Sequence, residues 1–327
     1  MSGLDPGRIV VAFTLVDGTV GQASVRSERP LSLAARFAGQ PVGRAIEAVG
    51  LLHAVCGVSH AAALTLAAAA AIGRIVPAEE VARWQARLAA ERIAEHLRDL
   101  AHLAPVAAFP VVRDALDAAY NATRSGVVGD GAEAIGAALA LAPGWLPATA
   151  GAAALPDALT VADDEAVVTA LAADAGFAAL PALSGRHPET GPAARAGRSA
   201  GLPGATLAAR LAEAEAALDW LCARPGEGRN FAVPLDANRT QMNTGYASVE
   251  SPRGRLYYFA VVQGDGRLRD ARVVAPTEWN FHPEGPFARA LAGFRPDGDA
   301  VTAIARLAAQ FSPCVAVDVV PEGAAHA

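Results

Sequence analysis

The run from Ala61 to Gly73 is mostly alanine, and it constrains the fold more than any other stretch of the chain. Alanine is the strongest helix former, and its one-carbon side chain leaves little to hold neighbouring elements apart. The stretch therefore predicts a helix packed closely into a core. At thirteen residues it falls short of the roughly 20 needed to cross a bilayer, so no membrane insertion is expected. Directly before it stands Ala54-Val-Cys-Gly-Val-Ser-His60, and near the far end Phe311-Ser-Pro-Cys-Val-Ala-Val317. Each holds one cysteine in a turn-like setting beside an apolar element. Free cysteine is ordinarily a small buried hydrophobe, made functional by reactivity or metal binding. It is the pair, in two similar contexts, that points to a site.

The chain of 327 residues is 53% hydrophobic and 18% charged, with a formal net charge of −6. That length and balance predict a soluble globular protein with a substantial core, in one large domain or two ordinary ones. Every basic residue is arginine, which together with the alanine content reflects composition bias and not a binding adaptation. Outside Arg186 to Arg198 there is no basic stripe, which argues against a nucleic-acid partner. The start, Met1-Ser-Gly-Leu-Asp-Pro-Gly-Arg8, lacks the pattern of a secretory leader. Three cysteines (Cys56, Cys222 and Cys314) then imply reduced thiols in the cytoplasm.

The remaining elements follow from periodicity and turn chemistry. Asp17-Gly18 between apolar runs predicts a hairpin of Ile9 to Val16 with Thr19 to Val25. Gln263-Gly-Asp-Gly-Arg267 predicts a second, joining Gly254 to Val262 with Leu268 to Ala275. Helices are expected at Leu31 to Phe37, Gly43 to Leu52, Ala61 to Ile72, Pro77 to Leu103, Val111 to Thr123 and Gly131 to Leu141. Others follow at Asp163 to Ala173, Leu207 to Leu221 (ending at Arg224-Pro-Gly226), Gly285 to Ala292 and Ala300 to Gln310. Residues 143–156 read as a loop or linker, and 183–203 as a loop. The stripe of Trp84, Leu88, Ile93, Leu97 and Leu100 reads as core.

These segments resemble, in order, the large subunit of nickel–iron hydrogenases in a shortened and degenerate form. Cys56-Gly-Val-Ser59 is similar to the family's Cys-Gly-x-Cys segment. Ser312-Pro-Cys314-Val-Ala-Val317 is similar to its Asp-Pro-Cys-x-x-Cys-x-x-His segment. Glu189-Thr-Gly-Pro-Ala-Ala-Arg195 looks like its Glu-x-Gly-Pro-x-Ala-Arg loop, Ser251-Pro-Arg-Gly254 like its Ala-Pro-Arg-Gly element, and Val274-Ala-Pro-Thr-Glu-Trp-Asn280 like its Ala-Pro-Thr-x-Trp-Asn stretch. The departures are as informative. The first cysteine of each pair survives, while the second, which in the family bridges nickel to iron, is Ser59 or Val317. The family's arginine two residues before the first cysteine is Ala54, its histidine four after the second is Ala63, and its closing histidine is Val320.

What the resemblance implies is an α+β, mainly α fold, a single reduced large-subunit-like domain over residues 1–327 with a helical core and peripheral β-hairpins. An intact bimetallic site is not implied. The losses resemble the HupK/HoxV type of maturation protein, large-subunit paralogues that act as scaffolds for iron with cyanide and carbonyl ligands. On that reading Cys56 and Cys314 are metal ligands, and Arg253, Pro252 and Glu189 line the cofactor pocket. No nickel and no catalysis are expected, and the partners are other maturation proteins and the apo large subunit. Two other functions stay open: a divergent hydrogenase-like enzyme with a mononuclear site, and a metal-free interaction protein. So do plainer readings of single residues. Cys56 and Cys314 could be inert core thiols, and Cys222 reads as a packed structural thiol. His53, Cys56 and His60 would share a face if helical, although each histidine reads better as buried and hydrogen-bonded or as surface. Arg253 could brace its hairpin through Glu250, Glu189 could pair with Arg195, and Glu47 reads as a surface carboxylate.

Overall fold

The computed structural model describes residues 5–30, 34–53, 55–148, 155–223 and 233–322. The alanine-rich stretch forms the body of helix α2 (Gly57–Ala71), which is buried on nearly every side, as expected of a helix apolar all round. It lies between helices α1 (Val42–Leu52) and α3 (Ala78–Ala101) and a four-stranded antiparallel sheet. The sheet has the order β3 (Leu235–Gln241), β4 (Thr244–Ser251), β5 (Gly254–Val262), β6 (Leu268–Val274). Helix and sheet meet with almost nothing between them. A Cβ built on Gly245 of β4 would stand 2.4 Å from the Ala71 amide nitrogen and 2.5 Å from the Ala67 carbonyl oxygen.

The second predicted hairpin is thus β5–β6, and it is not peripheral. Leu256, Tyr258, Ala260 and Val262 join the core around α2. Tyr257 and Phe259 point the other way, onto Val167, Val168 and Leu171 of α6 (Asp164–Ala173). A strand covered on both faces reads as one continuous apolar run, which is what Leu256 to Val262 is.

The first hairpin forms as expected, β1 (Arg8–Val16) with β2 (Thr19–Ser27), and Asp17 and Gly18 have φ of 52° and 75°, the pair of positive values a two-residue turn requires. A strand the sequence did not announce, β7 (Ala316–Pro321), runs parallel to β1, from Arg8 opposite Ala316 to Phe13 opposite Pro321. Ile9, Val11 and Phe13 then meet Phe281, Phe287 and Phe311 in a second core. The other helices are α4 (Phe109–Ser125), α5 (Gly131–Leu141), α7 (Pro192–Arg195), α8 (Ala205–Cys222), α9 (Pro276–Asn280), α10 (Pro286–Leu291) and α11 (Ala300–Gln310).

The α+β, mainly helical architecture agrees with the sequence reading; several details differ. Helix α2 starts at Gly57, and the 183–203 loop holds the buried turn α7. Cys222 is exposed, not packed, because it ends α8 on an outer face. The helix expected from Leu31 is a short 3₁₀ turn over Ala34–Phe37. The linker opens with a 3₁₀ turn over Ala142–Trp145. Residues 31–33, Ala54, 149–154 and the Arg224-Pro-Gly226 helix end lie outside the described residues. No described helix is long and apolar enough to cross a membrane.

Candidate functional site

Cys56 is the residue at the mouth of α2. Its amide donates to the His53 carbonyl at 3.0 Å, and its own carbonyl accepts the His60 amide at 3.0 Å, the first bond of the helix. Gly57 follows for a steric reason: a Cβ there would lie 2.2 Å from the Gly50 carbonyl oxygen of α1. The amides that open a helix have no internal partners, and Glu91 of α3 supplies them, accepting from Val58 at 2.7 Å and Ser59 at 3.0 Å. Its carboxylate also takes the Ser59 hydroxyl. Ser59, where the resemblance would place a bridging thiolate, is therefore turned into a capping contact. Burial pushes Glu91 up to about 7, against the hydrogen bonds it accepts.

Cys314 approaches from the other end of the chain, after Ser312 (φ 56°) and before β7. Its amide donates to Thr277 Oγ1 at 3.3 Å, and that hydroxyl donates to Cys314 Sγ at 3.1 Å. The two thiols share one neighbourhood. Burial pushes the Cys56 thiol well up, Cys314 and Glu91 add to this, and Arg253 acts in the opposite sense.

Arg253 sits in the β4–β5 turn. It donates to the Pro313 carbonyl at 2.8 Å and to Glu95 at 3.3 Å, and its Nε is buried without a partner. Its bracing partner is thus Glu95 of α3 and not Glu250. Glu95 is pushed up to about 7 by burial, which Arg98 and Arg253 only partly offset. Pro252 is buried in the same turn, its carbonyl 3.4 Å from Arg195 Nη2. Gly254, at φ +138°, is required because a Cβ would meet Thr190 Oγ1 at 2.5 Å; this is the contact that seats the Pro-Arg-Gly turn on the Glu189–Arg195 loop. Asn280 completes the join, donating to the Thr190 and Phe311 carbonyls at 2.8 and 3.0 Å and accepting the Thr190 amide at 3.0 Å.

Arg29, which lies in no recognisable motif, belongs to this pocket. It is ion-paired with Glu278, next to Thr277, and its Nε is also buried without a partner. Its charge is felt by Cys314, Cys56, His53 and His60. The two histidines stack with ring centroids 3.5 Å apart. His53 Nδ1 donates to the Val49 carbonyl at 2.8 Å, and His60 Nδ1 lies 2.7 Å from the Tyr258 hydroxyl. Burial lowers both pKa values. They wall the pocket as neutral, hydrogen-bonded side chains, and α1 ends at His53, so the three residues do not share a helix face.

Glu189 is not brought into the pocket. Its carboxylate accepts from Ala200 at 2.7 Å and Ser199 at 3.0 Å, and it lines a separate cavity of about 550 Å³. Nor does it pair with Arg195, which binds Glu213 at 2.7 and 2.8 Å and Glu250 at 2.9 Å. A second cavity of about 590 Å³, walled by Arg98, Asp99, Arg210, Arg253, Ser312 and Pro313, opens beside the thiol pocket.

The fold is that of a nickel–iron hydrogenase large subunit. The structure overlays that of a reduced, active nickel–iron–selenium hydrogenase from Desulfomicrobium baculatum with a TM-score of 0.55, at 16% identity over 92% of this chain and 95% of that one, a likeness of fold alone. The sequence relatives are more specific. The hydrogenase expression/formation protein HupK of Rhizobium leguminosarum bv. viciae is 35% identical over 99% of both chains. That of Bradyrhizobium diazoefficiens is 30% identical over 98% of both. The chain belongs to the HupK family. No protein-family model matches it.

Proposed function

We propose that this chain serves hydrogenase formation as a non-catalytic scaffold that holds iron with its cyanide and carbonyl ligands before transfer to the large subunit. Cys56 and Cys314 are its thiolate ligands, with Arg253 donating to a cyanide nitrogen from second-sphere distance. The observation that carries the reading is the pairing of two thiols from opposite ends of the chain with two buried guanidinium nitrogens, on Arg253 and Arg29, that nothing among the described residues satisfies. A buried donor without a partner is costly, and a cyanide nitrogen is the acceptor such a donor lacks; charge-assisted bonds of this kind are strong. Low-spin iron that already carries diatomic ligands needs few more, and soft thiolates suit it.

The missing thiolates support the same choice. With Ser59 held by Glu91 and Val317 in β7, the two positions that resemble the family's bridging cysteines carry no thiolate, and no nickel is expected. The partners on this reading are other maturation factors and the apo large subunit, in the cytoplasm. The test is an infrared spectrum with metal analysis of protein purified without oxygen from a host making the maturation machinery. Cyanide and carbonyl bands with iron and without nickel are expected, and both should vanish in Cys56→Ala and Cys314→Ala. A folded, anaerobic preparation lacking bands and iron, or normal hydrogenase maturation in cells carrying both substitutions, would sink the scaffold. Bound nickel or hydrogen turnover would point to an enzyme instead.

A further inference from the structure

Outside the thiol pocket the chain contains the triplet His-Pro-Glu twice, as His187-Pro188-Glu189 and His282-Pro283-Glu284, and the fold brings the two together. The imidazoles stack with centroids 4.0 Å apart and planes 21° from parallel. Arg289 ties the two backbones, donating to the Glu284 carbonyl at 2.8 Å and the His187 carbonyl at 3.0 Å. His187 Nε2 lies 3.2 Å from Glu284 Oε2, and His282 Nδ1 accepts the Glu284 amide at 3.1 Å. His187 Nδ1 is buried with no partner among the described residues, which leaves one nitrogen of that ring unsatisfied by them. Glu189, the end of the first triplet, is occupied by Ser199 and Ala200 and takes no part.

One ligand atom from each of His187, His282 and Glu284 falls within 4.8 Å of the other two. Two imidazoles and a carboxylate are the donor set of open zinc sites, whose nitrogen and oxygen ligands sit at roughly 2.0–2.2 Å from the ion. Adjacent ligands of such an ion stand about 3.4 Å apart by that geometry, close to the 3.2 Å already present between His187 and Glu284. We propose that His187, His282 and Glu284 bind a divalent first-row transition ion of the zinc kind, with a further coordination position open to the adjoining cavity that His187 lines. Closing the site needs movement of the Glu284 arm, whose side chain is 78% exposed, release of its amide from His282, which water can replace, and rotation of one imidazole out of the stack, because near-parallel rings do not aim their in-plane lone pairs at one ion. The ligands suit borderline ions and not magnesium or calcium, which prefer oxygen alone.

The site is independent of the thiol pocket, and cobalt distinguishes the two, since thiolate ligation gives an intense near-ultraviolet charge-transfer band that nitrogen and oxygen ligation does not. Chelator-treated full-length protein titrated with zinc, and separately with cobalt, should take up one ion without that band. His187→Ala should abolish it, and Glu284→Gln, an exposed change that leaves folding intact, should weaken it at least about tenfold, the size seen on losing a ligand-shell group. Uptake only with the thiolate band, no uptake at all, or unchanged affinity in both variants with unaltered melting would overturn the assignment.

Discussion

Gly57 and Gly43 test the packing behind Cys56 with the same substitution and opposite expected signs. At Gly57 a Cβ would meet the Gly50 carbonyl oxygen at 2.2 Å, where contacts under 3.0 Å do not occur, so α1 and the start of α2 would have to part by about 0.8 Å. Overpacking costs roughly 1–3 kcal/mol, and with backbone on both sides the upper half of that range applies. The helical preference of alanine over glycine returns up to about 1 kcal/mol, leaving a net loss of about 2 kcal/mol for Gly57→Ala. With about 2.1 cal/mol/K of unfolding entropy per residue, this lowers the melting temperature of a 327-residue chain by about 3 °C. At Gly43, exposed in α1, an added Cβ meets nothing within 4 Å, so Gly43→Ala should stabilise by about 0.5 kcal/mol. Urea unfolding with unchanged m-values, together with calorimetry, measures both. A Gly57→Ala protein as stable as the parent, or a Gly43→Ala protein equally destabilised, would refute the steric argument. The scaffold reading adds that Gly57→Ala should load less iron, because the clash displaces the mouth of α2.

Glu95 keeps its proton up to about pH 7 in the folded chain and loses it near 4.5 when unfolded, so between those values the unfolded state binds fewer protons and the group's contribution to stability falls as pH rises. Glu95→Gln should therefore gain on the parent between pH 5 and 7.5, by up to about 3 kcal/mol at 1.36 kcal/mol per pKa unit. The comparison must be differential, because His96, lowered to about 4 mainly by burial, shifts both proteins in the opposite sense. A pH-independent difference in urea midpoints counts against it. Alkylation of the folded chain should label Cys222 first and buried Cys56 at least about tenfold more slowly, read by peptide mass; equal rates contradict the packing. Asp164→Ala strands the buried guanidinium of Arg255 and the Tyr257 hydroxyl, 2.6 and 2.8 Å from its carboxylate, and should cost about 3–5 kcal/mol in unfolding free energy. A loss under 1 kcal/mol would show that Glu250 and Ser248 suffice for Arg255.

What could be read from the sequence was whatever is fixed locally or carried by a backbone requirement. Asp17-Gly18 specifies its turn in two residues, and Gly57 and Gly254 sit in readable motifs because another backbone lies against each. Strand β3, Leu235-Asp-Ala-Asn-Arg-Thr-Gln241, was illegible because it is a polar, mostly exposed edge without alternation. Strand β4 hid because its buried Ser248 and Glu250 are satisfied by Arg255 and Arg195, partners that no local pattern names. The same holds for the site. Glu189 is the carboxylate that local sequence offers Arg195, yet the partners of Arg195 lie 18 and 55 residues away. Glu91 and Glu95 of α3 look like surface carboxylates until α2 and the Arg253 turn cover them. Their spacing of four residues, with Arg92 and His96 equally spaced between the apolar positions, is the trace that the stretch of α3 from Leu88 to Leu97 is enclosed on all sides.

The parallel pairing of β1 with β7 sets when the thiol pocket can exist. Cys314 stands two residues before the strand that docks onto the first strand of the fold, and Cys56 precedes it by 258 positions. Synthesis proceeds from the N-terminus, and the early elements can collapse while later ones are still being made. A nascent chain thus owns Cys56, Glu91 and α2 long before it owns the second thiol. On the scaffold reading, capture by both cysteines would wait until Cys314 is made and β7 has docked on β1, and a misfolded copy would offer the iron fragment one sulfur and no clamp. The order of translation would then act as a proofreading step.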